Sequence, residues 1–238
     1  DSPYRMYPSG DNNTKNPFFD NLYRDRRDIH HDLNANLYAI VKLPFGFEYQ
    51  MNFTPRYHWY EYMNHESAEH PEWAGDGGRS ERKNEKTFNW QVDNILRWKK
   101  EFGEDHRVEA TFLQNAEKGQ WWKTVAQNKL YSPSDILGFH NIGAGTAPSV
   151  SSEDTYKTGD ALMGRLFYSF KDKYMLTASV RRDGYSAFGS MNPHAVFPAV
   201  ALGWVFTSEK FMEKTSDWLN YGKLRFSWGQ NGNRDIGQ

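Results

Sequence analysis

The sequence predicts an all-β protein, and more specifically an antiparallel sheet that forms part of a transmembrane β-barrel. Three observations predict this fold. Long segments alternate apolar and polar residues, aromatic residues are abundant in a very polar chain, and short connections alternate with long ones. We expect about eight strands in all.

The composition combines many large rings with few aliphatic runs. Aromatic residues make up 16% of the 238 residues, yet the mean hydropathy is -0.87. A soluble core would surround such rings with Leu, Ile and Val. Barrel strands instead send apolar side chains to lipid and polar ones to the lumen in turn, which keeps the mean hydropathy low.

Composition also excludes several classes of protein. No segment reaches the ~20 apolar residues of a transmembrane helix, and the first residues lack the basic and apolar regions of a signal peptide. The chain has no cysteine, which excludes disulfide scaffolds and thiolate metal sites. A net charge of -1 argues against a nucleic-acid-binding protein, which would carry a basic surface. Asp1 in place of an initiator Met favours a mature or excised segment.

The clearest alternation runs from Phe47 to Trp59, with rings and Met51 at every second position except Pro55. A strand that crosses a bilayer at a tilt needs ~9–11 residues, whereas strands of soluble sandwiches average ~5–6. The length therefore favours a barrel. Pro55 lacks an N–H for the ladder, which predicts a bulge or the point where the strand leaves the lipid.

Similar alternation predicts the other strands, which lie around 32–42, 88–98, 107–112, 162–170, 174–181, 196–206 and 223–229. Asn94 interrupts the apolar row of the second of these segments. Asp183 and Gly184 are expected to leave their strand in a turn with positive φ.

The connections differ in length, and this difference orients the sheet. Short turns are predicted at 43–46, 100–105 and 171–173, an intermediate connection at 207–217, and long polar loops at about 63–85, 115–158 and 183–194. In outer-membrane barrels the short turns face the periplasm and the long loops face outside. The alternation supports a barrel and assigns its two sides.

Aromatic residues cluster near the predicted strand ends, as in the girdles that barrels place at the membrane interfaces. Four tryptophans are expected to face lipid in these girdles: Trp59, Trp98, Trp204 and Trp228. Tyr60 and Tyr62 close the same strand as Trp59 and fit the same girdle. Packing of the rings between two sheets of a sandwich is the competing interpretation.

Five motifs in the last third of the chain carry a family resemblance. They are GRLFYSFKDKY at 164–174, LTASVRRDG at 176–184, FG at 188–189, FPAVALGW at 197–204 and KLRFSWGQNGN at 223–233. In this order and spacing they resemble the SusC/RagA family of TonB-linked outer-membrane proteins. Residues before about 160 match that family only in their pattern of alternation.

The resemblance implies a plugged barrel of about 22 strands. About eight strands cannot close such a barrel, and open edges are untenable in lipid. Residues 1–238 are therefore expected to be part of the barrel domain, without the plug domain and the TonB box. By alternation, Arg165 and Arg181 face the lumen, where Arg181 can pair with acidic groups of a plug.

The function implied by the resemblance is active import of an oligosaccharide or peptide across the outer membrane of a Bacteroidetes bacterium. The implied partners are a SusD-like surface lipoprotein that caps the barrel, the TonB complex that pulls on the plug, and outer-membrane lipid. Two alternatives remain: a soluble or surface-attached β-sandwich that binds glycans, and a passive porin.

Candidate cargo-binding residues are rings in the predicted long loops, namely Trp73, Trp121, Trp122 and Tyr131. Flat rings stack on sugar faces, although rings in loops also pack the loops together. His65 and His70 resemble a zinc-protease pair but are five residues apart instead of four, so they would not share a helix face. We predict no catalytic residues, no metal and no cofactor.

Overall fold

A computed structural model of the protein describes residues 16–186, 194–215 and 217–232. One helix, α1 (Pro17–Tyr23), precedes the strands; Asn16 caps it by accepting a hydrogen bond from the Phe18 N–H. Nine strands follow: β1 (Arg24–Asn34), β2 (Leu37–Lys42), β3 (Phe47–Glu66), β4 (Arg79–Phe102), β5 (His106–Lys129), β6 (Ser149–Phe170), β7 (Tyr174–Tyr185), β8 (His194–Trp204) and β9 (Leu224–Gly229). The prediction of an all-β fold is confirmed.

The strands form one antiparallel sheet in the order β1-β3-β4-β5-β6-β7-β8-β9, and β2 also pairs with β3. Both β1 and β2 pair with β3 in the same register. They therefore occupy a single position in the sheet, which agrees with the predicted number of about eight strands.

Pro55 interrupts the partner strand and leaves its own strand intact. The Ala35 N–H donates to the Pro55 carbonyl over 3.1 Å, but proline has no N–H to return the bond. Pairing lapses at Ala35 and Asn36, while β3 continues to Glu66. The predicted bulge is absent between β3 and these partners, because the register is unchanged across the gap.

The strands extend far into the predicted loops. The segment between β3 and β4 covers only residues 67–78, and the one between β5 and β6 only 130–148, so the predicted loops at 63–85 and 115–158 are too long. Outside the lipid both faces of a strand can be polar, and hydropathy no longer marks where pairing ends.

Asp183 and Gly184 lie within β7, so the predicted turn at these residues is wrong. Gly184 pairs with Asp160 on one side and His194 on the other. A Cβ there would lie 2.3 Å from Asp160 Oδ1. The missing side chain of Gly184 therefore leaves room for the Asp160 side chain. The Phe188-Gly189 motif lies outside the described residues.

The three short turns are confirmed between β2 and β3, β4 and β5, and β6 and β7. Phe45 and Gly46 have φ of 64° and 84° in the first turn, and Lys171 and Asp172 have φ of 55° and 50° in the third. Two successive positive φ values match the right-handed twist of a tight hairpin. In the described residues, no helix is long and apolar enough to span a membrane.

The chain divides into two compact units. The first unit contains the described residues up to Asn34 with Arg56–Phe88 and Gln120–Tyr156, and the second contains Ala35–Pro55, Asn89–Gly119 and the described residues from Lys157 onward. Each unit is described separately below.

Gly46→Ala tests the first turn, with Gly103→Ala as a matched control. Both glycines have positive φ, but only at Gly46 would a Cβ meet backbone, 2.3 Å from the Lys99 carbonyl oxygen. Gly103→Ala is expected to cost about 1–3 kcal/mol, the strain of a left-handed residue. Gly46→Ala must cost more because the steric overlap adds to this strain. Urea unfolding of the full-length protein in detergent measures both; equal losses would contradict the close approach.

Candidate functional site

The sheet of the second unit has one apolar face. Pairing places Leu166, Ala178, Val200 and Trp228 side by side across four strands. The next row contains Leu176, Leu202 and Phe226, which are 38%, 52% and 63% exposed. In the described residues only four apolar side chains are buried: Met63, Phe139, Ala161 and Val205. The large apolar side chains of this unit thus cover an open face instead of filling a core.

The opposite face of this sheet carries Arg165, Arg181 and Arg225. Arg165 pairs with Ser179, Arg181 with Phe197, and Arg225 with Gly203. Arg181 Nε donates to Asp183 Oδ1 over 2.8 Å, so an acidic partner is already present on its own strand. Arg165 and Arg181 lie on the same face of the sheet, opposite Leu166 and Ala178.

Asn94 shows how a polar residue is accommodated among apolar neighbours. Its side-chain oxygen accepts a hydrogen bond from the Tyr49 hydroxyl, and its amide donates to Gln114 Oε1 over 2.7 Å. The three side chains form a chain across β3, β4 and β5. A satisfied polar group costs far less in an apolar environment than one without partners.

Two of the predicted girdle tryptophans are fixed at the short-turn ends of the second unit. Trp98 Nε1 donates to the Phe45 carbonyl over 3.1 Å, and its ring packs against Phe47. Trp204 Nε1 donates to Glu209 Oε1 over 3.0 Å. Rings with an apolar body and a bonded polar edge are typical of membrane interfaces.

Glu209 collects three donors in the segment after β8. The Tyr174 hydroxyl and Trp204 Nε1 donate to Oε1, and Lys173 Nζ donates to Oε2 over 3.2 Å. The bond from Tyr174, followed by that from Trp204 and the ammonium of Lys173, lowers the pKa of Glu209 from its ordinary 4.5 to about 2. The ionised carboxylate thus holds the ends of β7 and β8 together.

The first unit contains a polar network that the sequence analysis missed. The Tyr60 hydroxyl donates to Asp28 Oδ1 over 2.7 Å, and His30 stacks on the Tyr60 ring at 4.5 Å between centroids. Lys83 Nζ lies 4.9 Å from the centre of the same ring. His30 of β1 and Lys83 of β4, the strands on either side of β3, therefore both contact the Tyr60 ring.

Tyr60 and Tyr62 do not belong to the same girdle as Trp59. Tyr60 pairs with His30 and Tyr62 with Asp28, while Trp59 pairs with His31. Alternate residues of a strand point to opposite faces, so the two tyrosines lie opposite Trp59. The even positions of β3 could have revealed this, because His58, Tyr60 and Tyr62 continue the polar face of the strand.

Trp121 and Trp122 lie in β5 and not in a loop. As adjacent strand residues they point to opposite faces. Trp122 shares a groove with Tyr57, Trp59 and Phe88 on one face. Trp121 lies on the other face with Lys123 Nζ 6.0 Å from its ring centre. The two rings therefore cannot bind one ligand from the same side. The prediction that Trp121 and Trp122 both contact the cargo from a loop is wrong.

Trp73 and Tyr131 are in connecting segments, as predicted, but both pack against histidines. Trp73 stacks on His70 at 3.8 Å, and His70 is fully buried. Tyr131 meets His65 edge-on at 6.5 Å, and burial raises the pKa of Tyr131. Their rings hold the segments 67–78 and 130–148 in place.

His65 and His70 have separate environments. His65 Nδ1 lies 2.9 Å from Ser80 Oγ, whereas His70 packs with Trp73 and with the edges of Phe19 and Tyr23. Among the described residues no group of three or more His, Asp or Glu side chains is arranged to hold a metal ion.

An antiparallel sheet with one exposed apolar face and one charged face is typical of the wall of a transmembrane β-barrel. The family profile "TonB dependent receptor-like, beta-barrel" matches residues 1–237. The chain belongs to this family. The match also includes the residues before 160, where the motifs alone gave no specific resemblance.

Curated relatives agree with this assignment. TonB-dependent receptor P39 of Formosa agariphila is 34% identical over 152 residues, which are 63% of this chain and 14% of that protein. TonB-dependent receptor SusC of Bacteroides thetaiotaomicron is 33% identical over 124 residues, 51% of this chain and 11% of that protein. The chain therefore matches only a small part of the length of either relative.

A solved structure supports the fold. The RagAB peptide transporter superposes with a TM-score of 0.85 at 21% sequence identity, covering 98% of this chain and 26% of that chain. At this identity the likeness concerns the fold alone.

Replacing Glu209 tests the link at the ends of β7 and β8. A carboxyl whose folded pKa is lowered stabilises the fold above its ordinary pKa and loses this effect as the pH falls toward the folded value. The difference in free energy of unfolding between wild type and Glu209→Gln should be full at pH 7, decline below pH 4.5 and be lost only below about pH 2.

Urea unfolding of the full-length protein over this pH range provides the measurement. Glu213→Gln is the matched control, because Glu213 lies exposed in the same segment; it should keep the wild-type profile. Parallel pH profiles for wild type and Glu209→Gln would contradict the proposed link.

Proposed function

We propose that the full-length protein is a TonB-dependent transporter that imports an oligosaccharide or a peptide across the bacterial outer membrane. The two-faced sheet carries this proposal, because one face suits lipid and the other a watery lumen. Membership of the TonB-dependent receptor family supports it. The matched proteins are named as receptors and transporters, and we propose no enzymatic activity for this chain.

In this proposal the chain supplies part of the barrel wall. Trp59, Trp98, Trp204 and Trp228 are the lipid-facing girdle, and Arg165 and Arg181 face the lumen and the plug. The plug domain and the TonB box belong to other parts of the full-length protein. A SusD-like surface lipoprotein and the TonB complex are the proposed partners; the similarity to SusC and to the RagAB complex supports them.

Trp121 is the proposed cargo-contacting ring. It is half-buried on the same side of β5 as Lys123, and a flat ring beside a cation suits both sugar hydroxyls and peptide groups. Trp73 and Tyr131 act by holding their segments in place, because their rings already pack against His70 and His65. Trp122 is not a proposed cargo ligand, because it lies on the opposite side of β5 from Trp121.

The names of the similar proteins differ in what they say about cargo. The RagAB structure is described as that of a peptide transporter, whereas the Formosa relatives carry no cargo in their names. Trp121 and its neighbouring ammonium suit either class, so both belong to the proposal.

Uptake measurements test the proposal in the native host. Cells with the full-length protein should take up the cargo, and loss of TonB should abolish uptake. Trp121→Ala should lower uptake at limiting cargo about tenfold, the effect of losing about 1.4 kcal/mol of binding. Trp218→Ala replaces a tryptophan that is 76% exposed between β8 and β9, and it should leave uptake unchanged.

Two results would contradict parts of this proposal. Uptake that survives loss of TonB would identify a passive porin. Unchanged uptake by Trp121→Ala cells, at equal protein levels, would remove Trp121 from the cargo path.

A further inference from the structure

A cavity of about 310 Å³ lies in the second unit, on the face of the sheet that carries the arginines. Three cationic side chains line it: Arg165, Lys223 and Arg225. Among the described residues no carboxylate lines this cavity. The cavity therefore concentrates positive charge at one place on the face.

The floor of the cavity consists of small residues on the two central strands. Thr177 of β7 pairs with Ala201 of β8, and Gly203 lies two residues farther along β8. Arg165 on β6 and Arg225 on β9 stand on either side of these strands. Neighbouring strands lie ~4.8 Å apart, so β6 and β9 are about 14 Å apart. This distance leaves room for a further chain segment between the two arginines.

The three cations lack a counter-charge. In the part of the chain that the structure describes, no carboxylate lies within ion-pair distance of Arg165, Lys223 or Arg225. Lys223 Nζ lies 2.8 Å from Met175 Sδ, which is only a weak acceptor. By contrast, Arg181 Nε on the same face lies 2.8 Å from Asp183 Oδ1. Like charges in one cavity repel each other, and an anionic occupant relieves this repulsion.

The position and size of the cavity indicate the source of the anion. Met175 follows the short turn at 171–173, and Gly203 is the second-last residue of β8, so the cavity lies near the end that is expected to face the periplasm. Its volume is at the lower end of the ~300–1,000 Å³ of pockets that enclose a whole ligand. A few side chains of an adjoining segment suit this space better than an oligosaccharide or a peptide cargo.

We propose that Arg165, Lys223 and Arg225 dock an acidic segment of the plug domain of the full-length protein. Carboxylates of this segment pair with the three cations, and arginine can bind a carboxylate through two parallel hydrogen bonds. The inference rests on the proposed function, because it needs this face to line a plugged lumen. It adds a defined docking site and the chemistry of the plug segment that fills it. Arg181 lies outside this site, because Asp183 already neutralises its charge.

Hydrogen–deuterium exchange of the full-length protein in detergent, followed by mass spectrometry, tests the docking site. When Arg165→Gln and Arg225→Gln are combined, one plug segment that contains Asp or Glu should exchange about tenfold faster than in wild type, the effect of losing about 1.4 kcal/mol of local stability. Arg182→Gln is the matched control. It removes an arginine from the opposite face of β7 and should leave plug exchange unchanged.

Two further measurements separate charge pairing from packing. An increase in salt from 0.1 M to 1 M shortens the Debye length from ~10 Å to ~3 Å, so it should speed exchange of the same segment in wild type and hardly change it in the double variant. Replacement of an acidic residue of that segment by Lys should have the effect of the double variant. Arg225→Glu should then restore slow exchange, because the charges of the pair are exchanged.

Unchanged exchange throughout the plug of the double variant would overturn the docking site. Faster exchange confined to a plug segment without Asp or Glu would also overturn it. Lower cargo uptake with unchanged plug exchange would overturn it as well, because the cavity would then contact cargo. All three results leave the transporter proposal intact. Uptake that survives loss of TonB would instead contradict the transporter proposal while faster plug exchange still supported the docking site.

Discussion

The structure depends on one geometric constraint: neighbouring side chains of a β-strand point to opposite faces while the backbone ladder satisfies every peptide group between paired strands. This constraint separates Val180 from Arg181 and Trp122 from Trp121 within single strands. It allows a chain of low mean hydropathy to present a continuous apolar face. The residue on each face then determines which medium that face can meet.

Polar groups near the apolar face are stabilised by partners on the same face. Asn94 is bonded by Tyr49 and Gln114, and the indole N–H groups of Trp98 and Trp204 have acceptors at the short-turn ends. Glu209 ties the Trp204 indole to the neighbouring strand through the Tyr174 hydroxyl. The apolar face therefore ends in bonded aromatic residues, which suits the boundary between hydrocarbon and head groups.

The strand from Phe47 to Trp59 could be predicted from the sequence because period-two alternation marks a strand directly. The three short turns could be predicted because turn residues separate the alternating segments. Sequence analysis misplaced the ends of β3 to β6, since a strand outside lipid needs no apolar face. It also missed the network around Tyr60, whose partners Asp28 and Lys83 come from two other strands. Contacts between strands depend on register, which alternation within one strand does not determine.

Labelling of successive residues in β7 tests the two-faced sheet most directly. The chain has no cysteine, so single cysteines can be introduced at Leu176, Thr177, Ala178, Ser179 and Val180 in a cysteine-free full-length protein in nanodiscs. Positions 177 and 179 should react with a water-soluble maleimide, whereas positions 176, 178 and 180 should be protected and quenched by brominated lipid when they carry a fluorophore. Uniform reactivity at all five positions would contradict the account.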